Sequence, residues 1–526
     1  MPNMKKHQKE DLRSRRDFLR QSTCASLGVS GLVNALTQMR LMTAACAAGN
    51  TSSDYKAIVC LFLAGGNDAH NMLVPMGDPA SDEARNDYEA ARGILALDRA
   101  TLHALNVPVG VPDTPTKAFE KHYGSVFPEI GVHPNAQPLA TLFDAGDLAF
   151  VCNCGTLAYP IPDRAAFINK TVPVPHQLFS HSDQQTQWQS SIADKPLSSG
   201  WGGRAAEMLN ASYNPNSKVS MSVSLSGINS FQVGTAGGVT QYAVTPEGAV
   251  SLSGYGDNYE NAYNVTGDPA SGYKNTNPGR RLKAFEDIMK LTHENLLEDQ
   301  YNKIVERARD TEGVIGASLT AAASAGVDFD NHFTGAQTAL GDQLKMVSRL
   351  IAGCTPLGNN RQVFFVQVNG YDTHQSSLND HANLMGELSN ALLAFRNTLK
   401  DPLMDAFEDV VTFSASDFAR TLTPNGVTTA EGSDHAWGSH AIVMGGPVNG
   451  RNLYGHYPPL KTGDTTGSID SHRSRGRLIP DSSVDQYSAV IANWFGVDSN
   501  SMEALLPNIP RFDDPLTTST PNLNFL

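Results

Sequence analysis

The chain has 526 residues, a formal net charge of −14 and a sequence pI near 5.5. This acidic balance argues against a general nucleic-acid-binding protein, which would carry a basic surface. With 40 % hydrophobic and 17 % charged residues, the composition is that of a globular protein, and the length allows a large α/β domain.

Residues 1–47 have the features of a targeting segment. Ser14-Arg15-Arg16-Asp17-Phe18-Leu19 matches a twin-arginine export signature, and Ala45-Cys46-Ala47 offers a small-residue cleavage site. The uncharged stretch 21–39 is too diluted by Ser, Thr and Gly for a stable membrane span. We therefore expect twin-arginine translocase to export the chain to the periplasm, the cell surface or the medium. A basic tail before a short helix, or lipidation at Cys46, remains an alternative.

The mature chain alternates predicted strands and helices. The continuous apolar run 57–63 predicts a strand that is covered on both faces, as in a parallel sheet. In residues 219–225 apolar side chains alternate with Ser, which predicts a half-exposed or edge strand. Residues 253–281 are predicted to form a long loop or insertion. Other strands are predicted at 148–151, 363–368, 410–413 and 441–444, and helices at 135–145, 282–309, 337–352, 378–399 and 484–495. This order predicts one α/β domain over 55–526, a doubly wound and mostly parallel sheet with helices on both faces.

Four cysteines remain after the expected cleavage, at 60, 152, 154 and 354. Cys152 and Cys154 alternate on a predicted strand, so their side chains are expected on one face, about 7 Å apart. That separation is too large for an easy disulfide. Cys60 lies inside the first predicted strand and is expected to be a buried thiol.

Three acidic and histidine clusters each follow an apolar run that predicts a strand: 65–70, 370–374, and Asp417 with 433–435 and His440. In a doubly wound sheet the ligand site lies beyond the carboxyl ends of the strands, so these clusters are expected to form one site. Carboxylates and imidazoles gathered in this way are what a divalent metal site requires. Taken singly, each residue is as well explained by a turn-forming Asp or a hydrogen-bonded His. The expected metal ligands are Asp68, Asp372, His374, Asp417, Asp434, His435 and His440.

A hydroxyl-rich segment and two arginines are the candidates for catalysis. Ser180 and Ser182 flank His181 at an expected helix start, and a serine beside a metal becomes a nucleophile. A serine that only caps the helix is the alternative. Arg204 and Arg420 are expected to hold a phosphate or sulfate group, with surface salt bridges as the alternative.

Taken together, these motifs resemble the DUF1501 family, a group of exported proteins assigned to the alkaline phosphatase-like/sulfatase-like superfamily. The resemblance covers nearly the whole mature chain and, besides the twin-arginine leader, rests on segments 62–68, 133–134, 148–151, 180–185, 370–374, 416–421, 433–435 and 494–496.

The resemblance implies an alkaline phosphatase-like α/β fold with one or two divalent ions, for which we expect Zn, Mn or Ca, and a Ser, Thr or Cys nucleophile. Asp434-His435 matches the adjacent pair that ligates metal in that superfamily, and Asp68 matches its early Asp. This chain departs from the family at Asp417, where Glu is frequent, and at Trp437, where a second His is usual. His440 is the residue expected to replace that His.

Our leading hypothesis is a metal-dependent hydrolase of phosphate or sulfate esters with Ser180 as the nucleophile. The substrate would be a small anionic ester or a sulfated or phosphorylated glycan. The alternative is a non-catalytic protein that uses the same scaffold to bind glycan or a cell-envelope partner. A metal-dependent isomerase or transferase acting on phosphorylated substrates is a third hypothesis.

Overall fold

The computed structural model describes residues 55–108, 116–124, 129–196, 199–235, 238–249, 252–256, 259–266, 268–289, 311–517 and 523–526. The predicted targeting segment 1–47 therefore lies outside the described residues. No helix in the described ranges is long and apolar enough to cross a membrane.

Fourteen strands are described, and nine of them form the central sheet. In chain order they are β1 Lys56–Leu63, β2 Leu73–Pro75, β3 His103–Ala104, β4 Ile130–Val132, β5 Leu148–Gly155, β6 Ser222–Ser224, β7 Tyr242–Ala243, β8 Tyr263–Val265, β9 Asp268–Tyr273, β10 Arg361–Val368, β11 Val410–Ser416, β12 Ser439–Met444, β13 Leu453–Gly455 and β14 Ser482–Ser483.

The helices fall between these strands. They are α1 Ala69–Met72, α2 Glu83–Arg92, α3 Thr116–Tyr123, α4 Gln137–Asp144, α5 Arg164–Ile168, α6 His181–Ser190, α7 Trp201–Tyr213, α8 Asn277–Met289, α9 over 311–324, α10 Phe329–His332, α11 Ala339–Ala352, α12 Cys354–Leu357, α13 Ser377–Leu399, α14 Val484–Phe495 and α15 Met502–Leu505. Short 3-10 turns cover Gly93–Leu95, Arg99–Thr101, Phe407–Asp409, Ser499–Ser501 and Ile509–Arg511.

The central sheet is mixed but mostly parallel. Its strands follow the order β13-β5-β12-β11-β1-β10-β6-β7, and β14 also pairs with β5. β1 runs parallel to both of its neighbours, β10 and β11, whereas β12 runs antiparallel to β11 and β5. The carboxyl ends of β1, β10 and β11 and the amino end of β12 consequently lie at the same edge of the sheet.

Helices cover both faces of the sheet, as the sequence predicts. Successive residues of β1 enter two different hydrophobic cores, because side chains alternate across a strand. Val59 and Leu61 pack with α4, α11 and α13, while Cys60 and Phe62 pack with α7 and α14. The continuous apolar run of β1 therefore reflects burial on both sides.

Two predicted elements differ from the structure. The alternation in 219–225 predicts partial exposure, but β6 is buried and lies inside the sheet between β10 and β7. Its serines are buried rather than solvent-facing. Residues 253–281, predicted as a loop, contain the β8–β9 hairpin and the start of α8, with a small core built on Tyr259, Tyr263 and Leu282. The predicted helix 282–309 is described only as far as Met289.

The two cysteines of β5 face opposite sides of the sheet, so the prediction of a shared face is wrong. Cys152 belongs to one hydrophobic core and Cys154 to the other. Asn153 between them has φ +48°, and the pairing of β5 with β12 is irregular at this point, which breaks the two-residue alternation. All four described cysteines are free thiols.

Several histidines of the described residues are held neutral inside the fold, among them His70, whose pKa burial lowers well below its usual value. Burial lowers the pKa of His133, His381 and His440 to about 3 and that of His456 to about 4. In the unfolded chain these rings would have the ordinary pKa of about 6.5. Between pH 6.5 and about 3, the unfolded chain therefore binds more protons than the folded chain, and stability falls as the pH falls.

We expect the denaturation midpoint in guanidinium chloride to be flat near pH 7.5 and to drop steadily below pH 6.5. Each of these rings contributes up to about 1.4 kcal/mol per pH unit within the window. His381→Gln should reduce the slope by about one proton, whereas His176→Gln, at an exposed position, should leave it unchanged. A midpoint that stays constant between pH 7.5 and 5 would contradict this account.

Candidate functional site

Loops from three strand ends meet at the carboxyl edge of the sheet. Gly65 after β1 has φ +118°, and a side chain there would overlap the main-chain nitrogen of Asp372 after β10. Asp417 after β11 accepts a hydrogen bond from the N–H of Gly65 at 3.1 Å. Arg420 and His435 form an isolated antiparallel bridge, which brings in the segment that precedes β12. The sheet thus gathers residues that are more than 300 positions apart in sequence.

His435 is oriented by a main-chain carbonyl. Its Nδ1 lies 2.9 Å from the carbonyl oxygen of Phe179, and since a carbonyl only accepts, Nδ1 carries the proton. Burial lowers the pKa of His435, so the ring is neutral at pH 7 and its Nε2 presents a lone pair. Phe179 holds its carbonyl in this position with φ +72°, an uncommon conformation for an aromatic residue.

His181 is oriented by the carboxylate of Asp417. His181 Nδ1 lies 2.6 Å from Asp417 Oδ2, which also accepts from Gln185 Nε2 at 2.9 Å. His181 and Gln185 are one turn apart on α6, so the start of this helix is clamped to the end of β11. With Nδ1 protonated, the Nε2 of His181 presents a lone pair, and that buried atom has no hydrogen-bond partner among the described residues.

These two rings and Asp372 form a candidate metal centre. His181, His435 and Asp372 each offer a ligand atom, and these atoms all lie within 4.8 Å of one another. In the part of the chain that is described, this is the one group of three or more such side chains close enough to share an ion. His374 borders the group, with its Nε2 2.9 Å from His435 Nε2.

The donor atoms fit a transition-metal ion. Two imidazole nitrogens with their second nitrogens bound to a carboxylate and a carbonyl are the usual arrangement of metal-ligating histidines. The unpartnered lone pair of His181 faces Asp372 Oδ2 at 3.5 Å, a contact that a cation would make favourable. The side chain of Asp372 is 46 % exposed, so the group is open to solvent on one side. Three protein ligands with an open position are typical of catalytic sites.

Arg420 positions Asp372 and is not free to hold a substrate, contrary to the expectation from sequence. Its fully buried guanidinium pairs with Asp372 and donates hydrogen bonds to the carbonyls of Gly65, Gly66, Tyr371 and Ser433. Burial raises the pKa of Asp372, but the hydrogen bond and charge of Arg420, with His374 and His181, outweigh it and hold the pKa below its usual value. Asp372 is therefore ionised at neutral pH, as a candidate metal ligand should be.

Ser180 directly precedes His181, a member of the candidate centre, in the chain. It occupies the position that precedes α6, yet its side chain makes no capping hydrogen bond to the helix. Its Oγ–H donates instead to Asp183 Oδ2 at 2.6 Å, and Ser182 Oγ lies 3.3 Å from Ser180 Oγ. The hydroxyl of Ser180 thus has a carboxylate that can take its proton.

Two of the predicted metal ligands lie in the interior. Asp68 is fully buried and pairs with Arg92, whose guanidinium also donates to the carbonyl of Thr421 at 3.0 Å. His440 is buried against His70 and Tyr457, with ring centroids 5.2 Å away in each case. Neither residue belongs to the group formed by His181, Asp372 and His435. Trp437 is also interior and donates to the carbonyl of Thr156.

Asp434 and Asp417 support histidines of the site. Asp434 pairs with Arg475, and its Oδ1 lies 3.3 Å from His374 Nδ1. Burial raises the pKa of Asp434, but the charge of Arg475 outweighs it and lowers that pKa overall. Asp417 holds His181 in the same manner. Both carboxylates were predicted as ligands, but each contacts the Nδ1 atom of a histidine whose Nε2 faces the other residues of the site.

Arg204 is not part of the site. Its buried guanidinium donates to the carbonyls of Leu505 and Ser190 and to both oxygens of Ser199. With all three nitrogens hydrogen-bonded in this way, the side chain ties α7 to neighbouring segments. We therefore no longer expect it to hold a transferred phosphate or sulfate group.

His181 is the site residue that sequence reasoning missed. The segment predicts its neighbours Ser180 and Ser182 as candidate nucleophiles but does not mark the imidazole between them as a ligand. The available signal was its position at a helix start in a segment that also carries Asp183 and Gln185. Arg475 and Arg477 were also missed, because they follow no long predicted strand.

Comparison with known proteins gives a family but no activity. A search of curated proteins found no match to the chain. The family model described as a protein of unknown function (DUF1501) matches residues 55–473, which is most of the chain and includes every residue of the candidate metal centre. The chain therefore belongs to the DUF1501 family.

Proposed function

We propose that this protein is an exported, metal-dependent hydrolase of phosphate or sulfate esters. The observation that carries the proposal is the convergence of His181, His435 and Asp372 at the solvent-facing carboxyl edge of the sheet. When bound, a divalent ion would polarise the ester and favour ionisation of a nearby hydroxyl. The nitrogen-rich donor set suits Zn better than Mn or Ca, which prefer oxygen ligands.

The proposed nucleophile is Ser180. Its proton would pass to Asp183, with which it is hydrogen-bonded, while the serine oxygen forms a bond to phosphorus or sulfur. The alcohol oxygen would leave with the electron pair of the broken ester bond and take up the proton that Asp183 releases. Water would then cleave the serine ester and restore the hydroxyl. Asp417 and the Phe179 carbonyl keep both imidazoles in the ligating tautomer throughout.

We further propose that the fold is alkaline phosphatase-like and that the protein works in the periplasm or at the cell surface. Support for the first comes from the mostly parallel sheet with ionisable side chains at its carboxyl edge. Support for the second comes from the twin-arginine segment, which also makes the twin-arginine translocase the expected partner during export. The substrate class remains small anionic esters or sulfated or phosphorylated glycans.

The test begins with protein isolated from the periplasmic and cytoplasmic fractions of cells that produce the whole chain. Metal content is measured by mass spectrometry, and turnover is measured on p-nitrophenyl phosphate and p-nitrophenyl sulfate after loading with Zn or Mn. We expect one bound ion and turnover by the exported protein. Ser180→Ala should lower turnover by at least about 10²-fold, since loss of a nucleophile costs even more in a serine hydrolase.

Pairs of matched variants separate the roles of the individual site residues from general effects of substitution. Asp372→Asn should lose both metal and turnover, whereas Asp330→Asn, at an exposed position on α10, should lose neither. Ser182→Ala should retain turnover, and the reverse pattern for the two serines would move the nucleophile to Ser182. A wild-type rate no higher than that of Asp372→Asn would remove the hydrolase proposal and favour the non-catalytic binding protein.

A further inference from the structure

A basic loop borders the candidate metal centre. Residues 471–477 contain Arg473, Arg475, Arg477 and His472 and no acidic residue, in a chain with a net charge of −14. Because the net negative charge of the chain disfavours the approach of anions, a local group of guanidinium charges favours their approach on this side. None of these arginines is needed to explain the metal ligands or the nucleophile.

The loop is held in a fixed shape by one buried carboxylate. Asp470 Oδ1 accepts from the N–H groups of His472 and Arg477, each at 2.8 Å. Its Oδ2 accepts from the N–H groups of Gly463 and Gly476 at 2.9 and 2.8 Å. Asp470 itself is fully buried. Four hydrogen bonds to one carboxylate reduce the conformational freedom of the loop, so its arginines are positioned before any ligand arrives.

Two of the arginines reach residues that contact His374, which borders the candidate centre, and His435, which belongs to it. Arg475 pairs with Asp434, whose other oxygen lies 3.3 Å from His374. Arg477 lies over the ring of Phe179, with its guanidinium carbon 4.2 Å from the ring centroid. The carbonyl of this same Phe179 orients His435. The basic loop is therefore separated from the candidate centre by a single layer of side chains.

Arg477 retains capacity to bind an anion. Its guanidinium lies over the ring of Phe179 and makes no hydrogen bond among the described residues, and its side chain is partly exposed. Arg473, four positions earlier, is exposed. A planar guanidinium held in place with free N–H groups is well suited to a tetrahedral oxyanion, which it can bind through two parallel hydrogen bonds.

We propose that loop 471–477 binds a second sulfate or phosphate group of the substrate, so that the preferred substrate carries at least one oxyanion besides the ester that is cleaved. This inference rests on the proposed hydrolase function and narrows it to esters of oligoanionic molecules, such as multiply sulfated glycans. Arg477 is the principal contact, and Arg475 and Arg473 supply the surrounding positive charge.

Binding is measured by calorimetry in the Ser180→Ala background, so that turnover does not interfere. The probes are a trisulfated disaccharide and its monosulfated counterpart. We expect the trisulfated probe to bind at least about tenfold more tightly, the size of effect that one charged hydrogen bond provides. Arg477→Gln should abolish most of this preference, and Arg473→Gln should reduce it. Arg99→Gln removes an equal charge at an exposed position elsewhere and should leave the preference intact.

Thermal melting shows whether each variant is folded. If Arg477→Gln does not fold, Arg473→Gln, at an exposed position, is the variant that tests the inference. Equal binding of the two disaccharides, or a preference that survives both substitutions, would overturn the inference. Its failure is distinct from failure of the proposed function. Absence of turnover on every ester would remove the hydrolase, whereas the disaccharide preference is read without any turnover.

Discussion

Replacing Arg420 by Met is expected to lower the free energy of unfolding by about 3–5 kcal/mol, because several buried main-chain carbonyls lose their donor at a cost of about 1–3 kcal/mol each. The fully buried guanidinium joins the loops after β1 and β10 and the segment before β12 through their carbonyls. Met fills a similar volume but cannot donate, so these carbonyls and Asp372 lose their shared partner. Since a whole domain is stable by only about 5–15 kcal/mol, the effect should be large.

Chemical denaturation of the metal-free protein measures this loss without a contribution from ion binding. Arg99→Met, at an exposed position, is the control and should change stability little. Arg420→Lys should behave like Arg420→Met, because one ammonium cannot reach carbonyls that a planar guanidinium spans. A change below about 1 kcal/mol, the typical cost of an ordinary substitution, would show that the loops hold together without Arg420.

Asp417→Asn is expected to weaken zinc binding about 10- to 100-fold, the usual effect of removing a group that orients a metal-ligating histidine. Asn retains the size of Asp417 and an acceptor for Gly65, but its neutral amide no longer fixes the proton on His181 Nδ1. His181→Gln removes the ligand itself and should abolish stoichiometric zinc. Both variants should lose turnover in the same order as they lose metal.

Competition with a zinc-binding dye gives the affinities, and mass spectrometry gives the stoichiometry. Gln185→Leu serves as an intermediate case, because it removes one of the hydrogen bonds to Asp417 while leaving the carboxylate in place. His176→Gln, five positions before His181 and exposed, is the matched control for loss of an imidazole. Full zinc affinity in both His181→Gln and Asp417→Asn would exclude His181 from the metal centre.

Much of the sheet was predictable because its strands have a simple signature. The runs at β1 and β10 are apolar on both faces, and only a strand between two layers of helices needs such a sequence. Strand direction was not predictable in the same way. β12 is as apolar as its neighbours, yet it runs antiparallel to them, because direction depends on the connection and not on local composition.

The location of the candidate site at the sheet edge was predictable, but the role of each side chain in it was not. The strand-end rule brings Asp372, His374, Asp417 and His435 to one edge of the sheet. The rule does not predict which carboxylate is a candidate metal ligand and which one orients a histidine, because that depends on side-chain contacts between loops. Asp68 illustrates the difference, because the same rule applies to it while Arg92, from a helix 24 residues later, holds its carboxylate in the interior.

The four free thiols of the described residues make the folded protein insensitive to redox conditions. Cys60, Cys152 and Cys154 are buried, Cys354 is partly covered, and burial raises the pKa of each, so none is a ready nucleophile at neutral pH. Stability of the described domain owes nothing to cystine formation. Reductants and mild oxidants alike should leave its melting temperature unchanged. The domain can therefore complete its folding in a reducing or in an oxidising compartment.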